Sequence, residues 1–358
     1  MKIIAAHAYL HHLPLTKPYT IAYKTTTDTE IVFLELMLEN GEIGIGAANP
    51  FADVVGETPE QTLANLQSGY LDEFIGKDIR SFNSLIDTSV QKFPKQPGTH
   101  AAIDIALHDL FGKYLGISVL DFYGSQIEAL PTSITIGIKE VKEMLEDAAG
   151  YYQLGFRILK IKTGIDVEAD IERVKKLTEK FQSKMCIRVD ANQGYTLTDL
   201  NLFLSKTHDL DVELIEQPLK AGLENELQTL PQAYRNTLVA DESLIDGVSA
   251  WKLSAIPQPY GVYNIKLMKS GGIKGAREIA GIARNAGISL FWGCNDESII
   301  SITAALHAAY SCSNTKYLDL DGSFDLAKDL VEGGFILKDG LLYPNGLAGL
   351  GYRKVGTL

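Results

Sequence analysis

Residues 158–164 read ILKIKTG, with Lys160 and Lys162 two positions apart in an otherwise apolar run. A segment this rich in Ile and Leu predicts a strand buried on both faces. Burying one ammonium there is costly, and burying two side by side is costlier. Side chains spaced by two share one strand face, so the run makes sense only if that face opens onto a polar site. The flanking sequence decides where such a site lies.

Downstream, strand-like runs recur at 132–138, 156–163, 185–191, 213–219, 238–242, 261–267, 288–294 and 317–321. Amphipathic segments separate them, among them VEADIERVKKLTEKF (167–181) and IKGAREIAGIARNAG (273–287). Eight strand–helix units in succession predict an α/β fold, a closed parallel (β/α) barrel of modified TIM type. An open doubly wound sheet is disfavoured, because no Gly-rich first turn follows the early strands. Upstream lie the runs KIIAAHAYL, EIVFLELMLE and EIGIGAAN, with a hairpin turn at Asn40-Gly41. Helical patterns follow at 58–72, 80–93 and 99–116, the last ending at Gly116. The expected organisation is an N-terminal α+β capping domain over 1–125 and a catalytic barrel over 126–322. A C-terminal segment, 323–358, then returns to complete the cap.

The chain of 358 residues carries a net charge of −12 and is 46% hydrophobic. That balance argues against nucleic acid or an anionic membrane as a partner, but not against an anionic small molecule. Cys186, Cys294 and Cys312 are too widely spaced for a disulfide framework or a zinc site, so a reducing compartment is expected. With no signal peptide or spanning segment apparent, the cytoplasm is the expected location and a homo-oligomer the expected assembly.

In such barrels the chemistry sits at the C-terminal ends of the strands. Strand two ends with Lys160 and Lys162, strand three with Asp190, strand four with Glu216 and strand five with Asp241. Strand six carries Lys266, strand seven ends GCNDES and strand eight reads LDLDG, with Asp319 and Asp321. One acid at a strand end is commonly a helix cap or turn residue. Three on adjacent strands would repel one another in a poorly solvated cleft unless a cation sat among them, and hard oxygen donors suit Mg²⁺. Lys162 and Lys266 lie four strands apart and so face each other across the mouth. That geometry suits taking a proton from one face of a carbon and returning one to the other, provided a lysine pKa falls from its usual range.

These residues, with the words DAN, EQPL, ADES, NIKLMKSGG and GTHAAIDIALHDLFGK, resemble the enolase superfamily, muconate-lactonizing subgroup. The resemblance covers nearly the whole chain and implies a Lys base with a Mg²⁺-stabilised enediolate. Within the subgroup, LDLDG is similar to the dipeptide epimerases, in which a D-x-D pair receives the substrate's α-ammonium. The implied activity is epimerisation of an L-Ala-Xaa type dipeptide at its C-terminal residue. Asp190, Glu216 and Asp241 would hold the metal, Lys162 and Lys266 would act as opposed acid/bases, and Lys160 would contact the carboxylate.

Asn192 and Gln217 are candidates for supporting the ligands or for plain turn roles. Thr135 either touches substrate or packs. Relatives commonly have GCM on strand seven, whereas here Asn295 and Asp296 follow Cys294. Asp296 could therefore bind the ammonium, favour a polar or basic side chain, or cap a helix. Lys24 and Phe51 fall where capping loops close over substrate. His100 and His108 read as structural, and His11 and His12 have no evident partner. Two alternatives stay open: o-succinylbenzoate synthesis, N-acylamino acid racemisation or cycloisomerisation on the same scaffold, and a non-catalytic binding barrel.

Overall fold

The computed structural model describes residues 1–20, 25–210 and 212–355; Lys24 lies outside them. Strands β1 (Ile3–Thr20), β2 (Thr25–Leu38) and β3 (Ile43–Ala48) form an antiparallel meander. Helix Pro97–Leu115 packs directly on β3. The Gly44 and Gly46 alternation in EIGIG permits this approach, since a Cβ at Gly46 would sit 1.9 Å from the Ala102 carbonyl oxygen.

That helix is apolar on most sides because it is covered on most sides, and its few polar groups tie the molecule together. Asp104 Oδ1 accepts the Ile273 N–H (2.6 Å), capping barrel helix Ile273–Asn285. Asp109 accepts the Ile45 N–H (3.0 Å) from the cap and the Leu350 N–H (2.8 Å) from the tail. His100 pairs with the Phe93 carbonyl (2.8 Å). His108 pairs with the Asp104 carbonyl (2.8 Å) and the Tyr123 hydroxyl (2.6 Å), so both are structural, as expected. His12 does have a partner, Glu30, at 3.1 Å.

After the two-residue β4 (Leu130–Pro131) come the barrel strands β5 (Ile134–Ile136), β6 (Ile158–Lys162), β7 (Cys186–Asp190) and β8 (Val212–Glu216). β9 (Leu238–Ala240), β10 (Val262–Ile265), β11 (Ser289–Gly293) and β12 (Thr315–Asp319) complete it. All eight run parallel in sequential order, and a parallel bridge between Thr132 and Leu318 closes the ring. Seven of the eight strands are shorter than the apolar run that announced them, because the polar C-terminal residues leave the ladder to form the mouth; β12 has the same five-residue length but lies two residues earlier, leaving Asp321 beyond it. Lys266 thus sits just past β10, at the start of the short helix Leu267–Ser270.

Inside the barrel, Leu214, Val239, Val262 and Phe291 form an apolar plug with Tyr317 packed against it. The Arg188 guanidinium lies 5.1 Å from both the Phe291 and the Tyr317 ring centroids. The polar residues occupy the layer above. Seven strands are followed by helical returns; the eighth is not. Past Asp319 the described chain forms β13 (Val331–Gly333), β14 (Phe335–Lys338), β15 (Leu341–Pro344) and β16 (Tyr352–Lys354). β15 pairs with β4, and Lys354 bonds Glu35 of the cap. The eighth expected strand–helix unit is therefore replaced by hairpins, consistent with the glycine-rich sequence there. Among the described residues no helix is long and apolar enough to cross a membrane.

His307 is fully buried in helix Ile299–Tyr310, with no hydrogen-bond partner for either ring nitrogen among the described residues. Burial lowers its pKa to about 4, with Asp121 opposing weakly. The unfolded chain gains a proton near pH 6.5, while the folded protein does not until about pH 4. Stability is therefore present above pH 6.5 and falls as pH drops through this window, by up to ~3 kcal/mol. Urea unfolding across pH 7 to 4 should lose that share of its slope in His307→Leu.

Candidate active site

The strand register brings the charged residues into one layer. Thr135 lies opposite Lys160, Lys162 opposite Asp190, and Asp190 opposite Glu216. Asp241 follows one residue past β9, and Asp319 ends β12 opposite Gly293. Lys160, Asp190, Glu216, Asp241, Asp319 and Asp321 are all at least nine-tenths buried. Above them opens a cavity of about 1000 Å³, lined by both barrel and cap.

Lys160 Nζ lies 3.1 Å from Asp190 Oδ2, 2.8 Å from Glu216 Oε2 and 2.8 Å from Asp319 Oδ2. Burial alone would discharge it, but these three carboxylates outweigh burial and raise its pKa well above the ordinary value. Lys162 donates to Asp190 Oδ2 (2.8 Å), and Lys266 donates to Asp241 Oδ2 (2.9 Å). For Lys266, burial is outweighed mainly by Asp241, so its pKa is raised rather than lowered. The expected depression of that lysine is thus not a property of the protein's own charges, which supply an acid beside it.

The carboxylates divide. Burial pushes Asp190 and Asp241 up, but the adjacent lysines win and hold both low. Glu216 is raised, by burial first and then by Asp190, which together outweigh Lys160 and Lys266. Although 2.8 Å from Lys160, Glu216 Oε2 has no aligned hydrogen bond among the described residues. Neither do the buried Asn192 Oδ1 and Glu242 Oε2. Among the described residues no three acidic, His or Cys side chains converge into a finished metal cage, since Lys160 and Lys162 lie between the carboxylates. The donor chemistry nevertheless fits a hard cation: oxygens of Asp190, Glu216 and Asp241 on neighbouring strands, with an unsatisfied one on Glu216.

Several residues passed over in the sequence support this layer. Asn264 Nδ2 donates to Glu216 Oε1 (2.7 Å). Lys269 bonds the Asp241 carboxylate and donates to its backbone carbonyl (2.6 Å). Its signal was the second Lys of NIKLMK, three residues past Lys266 and so on the same side of a helical turn. Glu242 stands beside Asp241 in ADES, and Asn192 Nδ2 donates to its Oε1 (3.4 Å). Gln217, in a left-handed conformation (φ +35°), accepts the N–H groups of Asp241 (2.9 Å) and Ser243 (3.1 Å). It also donates to the Leu219 carbonyl (2.9 Å), the Ser243 hydroxyl (2.9 Å) and the Tyr260 hydroxyl (3.1 Å).

On strand eight, Asp319 is engaged by Lys160 and by the Ser133 hydroxyl (2.6 Å). Among the described residues the Asp321 carboxylate accepts the Thr135 backbone N–H (2.7 Å) and no other hydrogen bond. Burial, Asp319 and Asp325 raise its pKa. Asp325, missed in the sequence, is raised to about 6 by burial and by Asp296. Thr135, Phe51 and Asp296 line the cavity, as do Asp28, Glu30, Asp53 and Glu60 from the cap; Lys17 and Lys139 are the lysines of its outer rim.

Residues 143–354 match the enolase C-terminal domain-like family, and residues 5–124 match the mandelate racemase / muconate lactonizing enzyme N-terminal domain. The chain belongs to this enolase-superfamily group. Among its relatives, the L-Lys-D/L-Arg epimerase of Desulforapulum autotrophicum is 50% identical over 99% of this chain and 100% of its own. That of Methylococcus capsulatus is 46% identical over 98% of this chain and 99% of its own. The crystal structure of the Methylococcus capsulatus dipeptide epimerase complexed with Mg and L-Arg-D-Lys superimposes with a TM-score of 0.96. It is 45% identical, covering 98% of this chain and 99% of that one.

Replacing Gln217 by Leu leaves the Asp241 and Ser243 amides unsatisfied. It should lower the free energy of unfolding by about 3 kcal/mol in urea titration.

Proposed function

We propose that the protein is a Mg²⁺-dependent dipeptide epimerase that inverts the α-carbon of the C-terminal residue and favours dipeptides with cationic side chains. The observation that carries the reaction is the pair of lysines on opposite sides of a ring of carboxylates. Lys162 on β6 and Lys266 beyond β10 are four strands apart in an eight-strand ring, each beside an acid. A carbon held between them loses its proton to one lysine and regains one from the other on the opposite face. Inversion follows, and the lysines exchange roles with direction.

Asp190, Glu216 and Asp241 would hold the metal, with Asn192 in support. When bound, Mg²⁺ would supply positive charge to the substrate carboxylate. Lys160, kept charged by its three acids, adds to the positive field where that carboxylate lies. Asp321 receives the substrate's α-ammonium, while Asp319 holds Lys160 in place. An N-acylated substrate would bring no ammonium to Asp321, which disfavours the racemase and synthase readings on this scaffold.

The outer cavity supports the side-chain preference. Asp28, Glu30, Asp53 and Glu60 line it from the cap, Asp296 from the barrel and Asp325 from the segment after it, with Lys17 and Lys139 among them. Lys139 is paired with Asp147 at 2.5 Å. An acidic wall of this kind suits Lys or Arg at either dipeptide position better than an N-terminal alanine followed by an acid. The similarity to L-Lys-D/L-Arg epimerases agrees with it.

Incubation with a dipeptide panel in D₂O tests the reading. L-Lys-L-Arg should exchange its C-terminal α-proton and epimerise at least about tenfold more efficiently than L-Ala-L-Glu. Lys162→Ala and Lys266→Ala should each lose epimerisation by about 10²–10⁴-fold. Each variant should retain proton exchange on only one of the two epimers. No exchange with any dipeptide would contradict the reading.

A further inference from the structure

Glu216 stands directly above the apolar plug. The plug residues Leu214, Val262 and Phe291 lie two positions before Glu216 on β8, Asn264 on β10 and Gly293 on β11. Residues spaced by two share a strand face, so these three belong to the next layer of the barrel interior. The Asn264 amide reaches past β9 to donate to Glu216 Oε1 (2.7 Å). The other oxygen, Oε2, lies 2.8 Å from Lys160, which is shared with Asp190 and Asp319.

The amide fits there because residue 293 is a glycine. A Cβ on Gly293 would sit 2.6 Å from Asn264 Oδ1 and 2.9 Å from its Nδ2, closer than atoms pack in an interior. The Gly293 backbone is not left-handed, so the site uses its missing side chain and not its conformational freedom. Asn264 Oδ1 is buried without a hydrogen-bond partner among the described residues. An orphaned acceptor is destabilising, so packing does not account for the residue, whereas its donor on Glu216 does. The backbone of Asn264 serves the neighbouring acid as well. Its carbonyl accepts from Lys269 Nζ (3.2 Å), which also donates to the Asp241 carbonyl (2.6 Å).

We propose that Asn264, seated against Gly293, is a positioning residue that sets the affinity of this layer for Mg²⁺. It holds Glu216 at Oε1 and leaves Oε2 on the side of Lys160 and Asp190 as the oxygen offered to the cation. A carboxylate fixed by an outer hydrogen bond has fewer orientations to give up when a cation binds. The inference rests on the assignment of Asp190, Glu216 and Asp241 to the metal, and adds to it the device that orients one of them.

The test titrates Mg²⁺ into the metal-free protein by calorimetry, with no dipeptide present, in wild type, Asn264→Leu, Gly293→Ala and the double variant. Asn264→Leu removes the donor at nearly constant volume, and Gly293→Ala keeps the donor but displaces it. Each single variant should weaken Mg²⁺ binding by about 10- to 100-fold, the usual effect of losing an outer partner of a ligand. Both act through one amide, so the double variant should bind no more weakly than about the poorer single. With L-Lys-L-Arg as substrate, the loss should fall in the Mg²⁺ concentration for half-maximal rate and not in the rate at saturating Mg²⁺. If one variant fails to fold, the Kd of the other decides; should neither fold, Asn264→Ala takes the same test. An unchanged Kd, losses that multiply in the double variant, or a rate that saturating Mg²⁺ does not restore would overturn the seat. A wild type that binds no Mg²⁺ would overturn the metal assignment and the seat with it. The expected losses of Mg²⁺ affinity in a protein that exchanges no dipeptide would overturn the epimerase reading and leave the seat standing.

Discussion

Lys160 is buried among Asp190, Glu216 and Asp319, which come from three different strands. It does two things at once. Between β6 and β12 lies only the three-residue β5, and the Lys160–Asp319 pair, with Ser133 on Asp319, spans it. Burial first, and then the neighbouring acids that this ammonium only partly offsets, push Glu216 up. An excess of buried carboxylate persists only where something positive completes it or where hydrogen bonds hold it. The proposed metal and the substrate's ammonium are two such completions.

The cap is held to this layer by polar groups of one helix. Asp104 reaches a barrel helix and Asp109 reaches both β3 and the C-terminal tail. Asp104 fixes cap against barrel at helix Ile273–Asn285, which follows Lys266, and Asn49 and Asn295 join the two beside the cavity. The cavity wall is therefore built by residues far apart in sequence.

The barrel was legible because its signal repeats: an apolar run with a charged residue at its end, strand after strand. The charged layer at the mouth was legible for the same reason, since Lys162, Asp190, Glu216, Asp241 and Lys266 each stand at an equivalent place. What was hidden depends on contacts rather than on pattern. Glu242, Lys269 and Asp325 carry no repeating signal; Lys269 gains its meaning from its bonds to Asp241, and Glu242 and Asp325 from poor solvation beside other acids. The missing eighth helix was the converse case, in which regularity upstream suggested a unit that the glycines and hairpins after Asp319 replace.

The most direct test of the central claim is a crystal structure with Mg²⁺ and L-Lys-L-Arg bound. The account predicts the α-carbon of the C-terminal residue between Lys162 Nζ and Lys266 Nζ, one on each face. It also predicts the metal on Asp190, Glu216 and Asp241, and the α-ammonium on Asp321. An α-carbon with both lysines on the same face, or with neither within reach, would contradict it.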